Sequence, residues 1–258
     1  MALEILTYIL TFIFGIVFGS FFNVIIYRIP NNISIVKGRS FCPKCNKTLK
    51  AIDLVPIFSQ VFLKSKCRYC KERISIRYPI IELLTGLLFV LCYFMFGLSW
   101  EFVLFLFFWS MLLITFIIDL EHMAIYDSIL IFFTIPAVLY VIFLAGEQRL
   151  SHVFGCLAGF GAFFLIYFIT KLIYKREAFG FGDVLLVASI GLFLGLRNTV
   201  ITCILSFIIA AIGIIILKIF QKNLDGKTEV PFAPYICIAA FITSMFGDNI
   251  FGFYINLF

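Results

Sequence analysis

Two aspartates and four cysteines carry the chemistry that can be read from this chain. Asp119 closes a long apolar run, and Asp183 follows Phe179-Gly180-Phe181-Gly182 at the edge of another. A carboxylate at a bilayer centre costs about 2.5–3.5 kcal/mol on insertion scales, so such groups face a protein interior or a water-filled cavity. The glycines let the backbone turn and other groups approach. Two carboxylates brought together cannot both ionise cheaply. Peptide hydrolysis exploits that: the ionised member draws a proton from a trapped water, and the protonated member polarises the scissile carbonyl. The residues alone also suit a helix-packing pair or the proton relay of a transporter.

The cysteines form two C-x-x-C pairs, Cys42/Cys45 and Cys67/Cys70, with 21 residues between them. Four thiolates at such spacing suit a closed, tetrahedral, structural zinc site. Cys92, Cys156, Cys203 and Cys237 are scattered through apolar runs and read as small apolar side chains. Near the aspartates stand Glu121, His122 and Asp127. Asp127 reads first as a helix N-cap, and Glu121 and His122 as solvated loop residues. Glu82 lies about one turn into an apolar run. It is expected to pair with a loop arginine or Asn23, or to hold a cationic group. The prolines of Glu229-Val-Pro231-Phe-Ala-Pro234-Tyr mark helix ends and could frame the aspartate site.

The elements that must position these groups are membrane helices. Of 258 residues, 63% are hydrophobic and 13% charged, with mean hydropathy +1.13, against about 25% charged in soluble domains. The runs are continuous rather than alternating, which excludes a β-barrel, and an open strand cannot satisfy its backbone in lipid. The fold class is all-α: a polytopic helix bundle. Spans are expected near 5–27, 79–97, 101–119, 125–144, 151–171, 183–196, 199–220 and 234–255, eight in all. The sixth is short for a span, and Gly247-Asp248-Asn249 interrupts the last. Glu4 is the only charge before the first span, so the basic region of a cleavable signal peptide is not expected. Gly15-x-x-x-Gly19 reads as close helix packing, and Asn23 as an interhelical hydrogen bond.

Between the first two spans lies a polar loop, residues 28–78, with twelve cations opposed only by Asp53 and Glu72. Placing that loop in the cytoplasm puts 18 Lys and Arg inside and only Arg149 and Arg197 outside, as the positive-inside rule requires. The termini are then both outside. Asp119 ends an inward span and Asp183 opens an outward one, so both lie at the cytoplasmic face. A cytoplasmic loop argues against disulfides between the four cysteines. Its charge suits anionic lipid headgroups; nucleic acid is not expected as a partner.

At this point the chain resembles the bacterial type IV prepilin peptidases, which are bifunctional leader peptidases and N-methyltransferases. The resemblance runs nearly the full length. Phe18-Gly-Ser-Phe-Phe-Asn-Val-Ile-Ile-Tyr-Arg-Ile-Pro30 looks like the family's opening signature. The cysteine pairs, Arg77-Tyr-Pro-Ile-Ile-Glu-Leu-Leu-Thr-Gly86 and Ile118-Asp119 with Asp127 follow. Gly180-Phe-Gly-Asp183 is similar to the G-x-G-D motif of presenilin-like aspartyl proteases, 64 residues after Asp119. Val230-Pro-Phe-Ala-Pro-Tyr235 is similar to the closing motif, with Ala233 where glycine is usual; Tyr126 replaces a usual proline.

The resemblance implies that Asp119 and Asp183 are the catalytic pair. The substrates are prepilins or pseudopilins with a short basic leader and a following hydrophobic helix. Cleavage falls after a glycine, and the new N-terminus, often phenylalanine, is methylated from S-adenosylmethionine. Residues 1–27 then form the first transmembrane helix, 28–78 a cytoplasmic zinc domain linked to methylation, and 79–258 the protease core. No S-adenosylmethionine contacts can be read. Gly180, Gly182, Glu82, Glu121 and Asp127 are expected to support substrate, the acids by meeting the basic leader. The competing readings are a proton-coupled transporter, whose internal repeat is not seen, and a membrane scaffold with a zinc-binding loop.

Overall fold

The computed structural model describes residues 2–174, 179–220 and 230–256. Eight α-helices hold most of them: α1 (Ala2–Arg28), α2 (Phe58–Phe62), α3 (Arg77–Phe96), α4 (Trp100–His122), α5 (Asp127–Phe143), α6 (Arg149–Tyr174), α7 (Phe181–Phe220) and α8 (Ala233–Ile255). Six of them, α1, α3, α4, α6, α7 and α8, are long and apolar enough to cross a membrane, and α5 is shorter at 17 residues. Two compact units divide the chain, Met1–Leu106 and Phe107–Phe258.

In the first unit, α1 packs on α3 through missing side chains. A Cβ on Gly15 would stand 2.7 Å from the Cα of Gly86, and one on Gly19 2.7 Å from the Cα of Glu82. Such contact lets dispersion hold helices that lipid does not drive together. Asn23 is buried and donates through Nδ2 to the carbonyls of Gly19 (3.2 Å) and Tyr78 (3.0 Å), the second bond crossing to α3. The 28–78 loop is less irregular than its polarity suggests. Arg28, buried, donates to the carbonyls of Ser34, Lys37 and Arg39 at 2.8–3.1 Å and folds the loop's entry. One of the twelve cations is therefore structural.

In the second unit a helix covers each expected span, α5 being short for one, and the sixth and seventh stand as two helical segments of α7 that meet at a kink. Its backbone breaks at Gly195 (φ 74°, ψ 172°). Phe179 and Phe207 both pack on Phe163 (5.6 and 5.7 Å between centroids) and on Phe232 (5.5 and 5.3 Å). A straight helix would hold them about 40 Å apart at 1.5 Å per residue. The chain therefore turns back at Gly195, and the Ser151 hydroxyl restarts the helix by accepting the N–H of Leu196 at 3.2 Å. Two directions are joined without a loop, so the expected sixth and seventh spans are two segments that meet at one residue. The expected interruption at Gly247-Asp248-Asn249 is absent: α8 continues through it. Gly247 there makes room for Asn198, whose Oδ1 would lie 2.7 Å from an added Cβ, and Asp248 pairs with Arg197.

Candidate active site

Asp119 lies in the last turn of α4. The helix stops just beyond it, where Met123 takes a left-handed conformation (φ 49°) and returns its N–H to the Asp119 carbonyl at 2.9 Å. Asp183 lies in the first turn of α7, its N–H bonded to the carbonyl of Gly180 at 3.2 Å. Both carboxylates are buried, 6% and 7% exposed, and lie close enough for their charges to act on one another. Cys237, on α8, is within electrostatic reach of both.

Three contacts hold the pair. The N–H of Ala233, first residue of α8, donates to Asp119 Oδ2 at 3.2 Å. It is one of the donors that a helix leaves unsatisfied at its N-terminus. The bond is made by the backbone and does not depend on the side chain of Ala233, which is fully buried. Next, a Cβ on Gly182 would stand 2.7 Å from the Cβ of Ile125, in the turn between α4 and α5. The missing side chain lets the start of α7 close on the turn that follows Asp119. Last, a Cβ on Gly180 would come within 3.1 Å of Asp183 Oδ2, so the glycine keeps that oxygen's approach open. Phe163, Phe179, Phe207 and Phe232 form an aromatic cluster beside Gly180 and Ala233.

The other expected site residues are placed as follows. Glu121 is exposed in the last turn of α4. Asp127 is exposed but is not the N-cap: Tyr126 holds that position and Asp127 is the first helical residue. It lines an open apolar groove of about 490 Å³ together with Leu130, Thr134 and Val138 of α5 and Leu185 and Leu192 of α7. Glu82, in the other unit, is buried, and its Oε2 accepts the N–H of Ile57 at 2.7 Å. Glu229 lies outside the described residues, as do Lys175, Arg176, Lys222 and Lys227 of the charge count.

The four cysteine sulfurs lie within 4.8 Å of one another, Cys42 and Cys70 at 3.9 Å. A tetrahedral zinc with Zn–S of about 2.3 Å needs sulfurs about 3.8 Å apart, so the donor set fits. The two knuckles are built alike. Cys42 N–H bonds to Lys47 and Cys67 N–H to Glu72, and left-handed Asn46 and Lys71 close the turns. The backbone N–H of Cys70 pushes the Cys67 thiol down to about 7. Cys70 accepts the N–H of Glu72, yet burial and its neighbouring thiols push it up to about 11. Four thiols this close do not all lose protons without a dication to take their place.

Sequence reasoning missed the Ala233 N–H, the Ile125 contact and the Ile57–Glu82 bond. A backbone donor or a bare Cα leaves no residue-type signal; only the prolines flanking Ala233 hinted that a helix began there.

Residues 13–96 match the bacterial peptidase A24 N-terminal domain, and residues 105–215 the type IV leader peptidase family. A prepilin leader peptidase/N-methyltransferase of Bacillus subtilis (strain 168) is 36% identical, over 92% of this chain and 94% of its own. Proteins of the same name from Aeromonas salmonicida (strain A449) and Legionella pneumophila are 32% and 30% identical, each over 92% of this chain and 90% of theirs. No solved structure matches the chain.

Proposed function

The chain belongs to the type IV prepilin leader peptidase/N-methyltransferase family, and from that premise we propose that it cleaves the leader from type IV prepilins or pseudopilins and methylates the new N-terminus. The observation that carries the reading is the burial of Asp119 and Asp183 within electrostatic reach of each other, at helix ends, behind Gly180.

The two carboxylates act as one unit. One, ionised, takes a proton from water as its oxygen attacks the carbonyl carbon of the scissile bond. The other, protonated, donates to the carbonyl oxygen. Collapse of the tetrahedral intermediate breaks the C–N bond, a proton goes to the departing amine, and the leader leaves with a new carboxylate. Ala233 N–H keeps the Asp119 carboxyl in one orientation throughout. The groove that Asp127 helps to line supports a place for the substrate's hydrophobic helix along α5 and α7, with Asp127 and Glu121 meeting the basic leader. Glu82, turned to Ile57, is less available for that role.

Cys42, Cys45, Cys67 and Cys70 would hold a structural zinc that supplies folding energy to residues 28–78, a domain linked to methylation. S-adenosylmethionine would supply the methyl group. The described residues offer no glycine-rich loop to cradle it. The cation count supports a multi-pass protein of the bacterial cytoplasmic membrane with both termini outside and the zinc loop inside. The test is incubation of the purified protein with a prepilin and a labelled methyl donor, followed by mass spectrometry. A shortened substrate carrying one methyl group is expected; an unprocessed substrate would overturn the reading.

A further inference from the structure

The stretch between the two knuckles is apolar and uncovered. Leu54, Val55, Phe58, Val61 and Phe62 are 39%, 42%, 58%, 68% and 81% exposed. Soluble surfaces rarely gather so many large apolar side chains without a partner. Their position says what the partner is. Ile57 donates its N–H to Glu82, which lies five residues, or about 7.5 Å, along α3 from its start. Ile57 is thus pinned against the wall of a membrane-crossing helix, inside its end. Ile57 itself stands at φ 61°, ψ −55°, a conformation that β-branched residues avoid. Leu54 and Phe62 flank this point closely in the chain.

The charges agree. Of the two acids in the loop, Asp53 is tied to Arg68 at 2.6 Å. Lys50, Lys64 and Lys66 flank the apolar stretch and are exposed. An apolar surface rimmed by lysines at the depth of a span's end is the composition of an interfacial lipid anchor.

We propose that residues 54–62 form a foot that enters the lipid interface beside α3, with Lys50, Lys64 and Lys66 on anionic headgroups. The foot fixes the zinc loop to the leaflet that α1 leaves and α3 enters. The partner is lipid rather than protein.

The test uses full-length Phe62→Trp, with Phe58→Trp as a second reporter, in vesicles of phosphatidylcholine and phosphatidylglycerol; wild-type signal from Trp100 and Trp109 is subtracted. The added indole is expected to emit to the blue of an exposed one. Lipids brominated in their acyl chains should quench it, and aqueous iodide should not. Lys64→Glu with Lys66→Glu should lower the bromolipid quenching. Iodide quenching without bromolipid quenching at both reporters overturns the proposal. Protection gained only when a prepilin is added does so too, and assigns the face to a protein partner. Quenching indifferent to the lysine reversals overturns the part given to headgroups.

Discussion

Asp119 and Asp183 are held differently, and that decides what each substitution does. Asp119 takes an N–H from another helix, and Asp183 is fixed by its own helix start. Replacing either by asparagine keeps the volume and removes the proton chemistry. Processing of a prepilin should fall roughly 10²–10⁴-fold, the range for loss of an acid–base group, in a gel-shift assay, with the protein still inserted; an Asp183→Asn protein at wild-type rate would refute the mechanism. Ala233→Gly should stay near wild-type rate, because the N–H to Asp119 survives. The aspartates themselves were legible in the sequence, because a carboxylate in an apolar run is costly and so needs a reason. Their partners were not, since a backbone N–H belongs to every residue but proline.

At the scale of elements, the site depends on α7 starting hard against the turn that follows α4. Gly182→Ala should cost about 1–3 kcal/mol of overpacking, read as lowered thermal stability and processing. Ile125→Ala in the same chain should recover part of both; independent losses would show that the two positions do not touch. The knuckles are a separate element with a separate control. Zinc binds thiolates; the backbone N–H of Cys70 holds the Cys67 thiol down while the neighbouring thiols push Cys70 up. Protons therefore compete with the metal more strongly as the pH falls. Dialysis against a chelator should therefore strip zinc far more readily at acid pH than at alkaline pH, by elemental analysis. Replacing the four cysteines should release the metal and impair methylation before cleavage. The cysteine spacing made this site readable, since few other uses explain two such pairs. The exposed helix α2 between them gave no signal, because five residues are too few for a periodicity.

At the scale of the whole molecule, hydropathy located the long apolar helices and a boundary between residues 196 and 199, but not the means by which α7 turns there. A run of apolar residues looks the same whether a loop or one glycine reverses it. Gly195, at φ 74° and ψ 172°, sits in a region open essentially to glycine alone, where a side chain costs about 1–3 kcal/mol. Gly195→Ala adds a Cβ 2.9 Å from Ser151 Oγ and should lower the thermal unfolding temperature in detergent; an unchanged temperature would place the reversal elsewhere. The reversal also sets the parity of the chain. With it, Asp119, Asp183 and Ala233 share one end of their unit, and the Lys218 end of α7 returns to that same end. Without it, α7 would finish on the opposite side and carry its terminal lysine there. Lys171 and Lys218 then fall at the end of the unit that carries the aspartates, the end that the positive-inside rule would make cytoplasmic. A reporter fused after the C-terminus should therefore be active only as an exported enzyme, and one inserted in the zinc loop only as a cytoplasmic one. The reverse pattern would move both aspartates to the outer face.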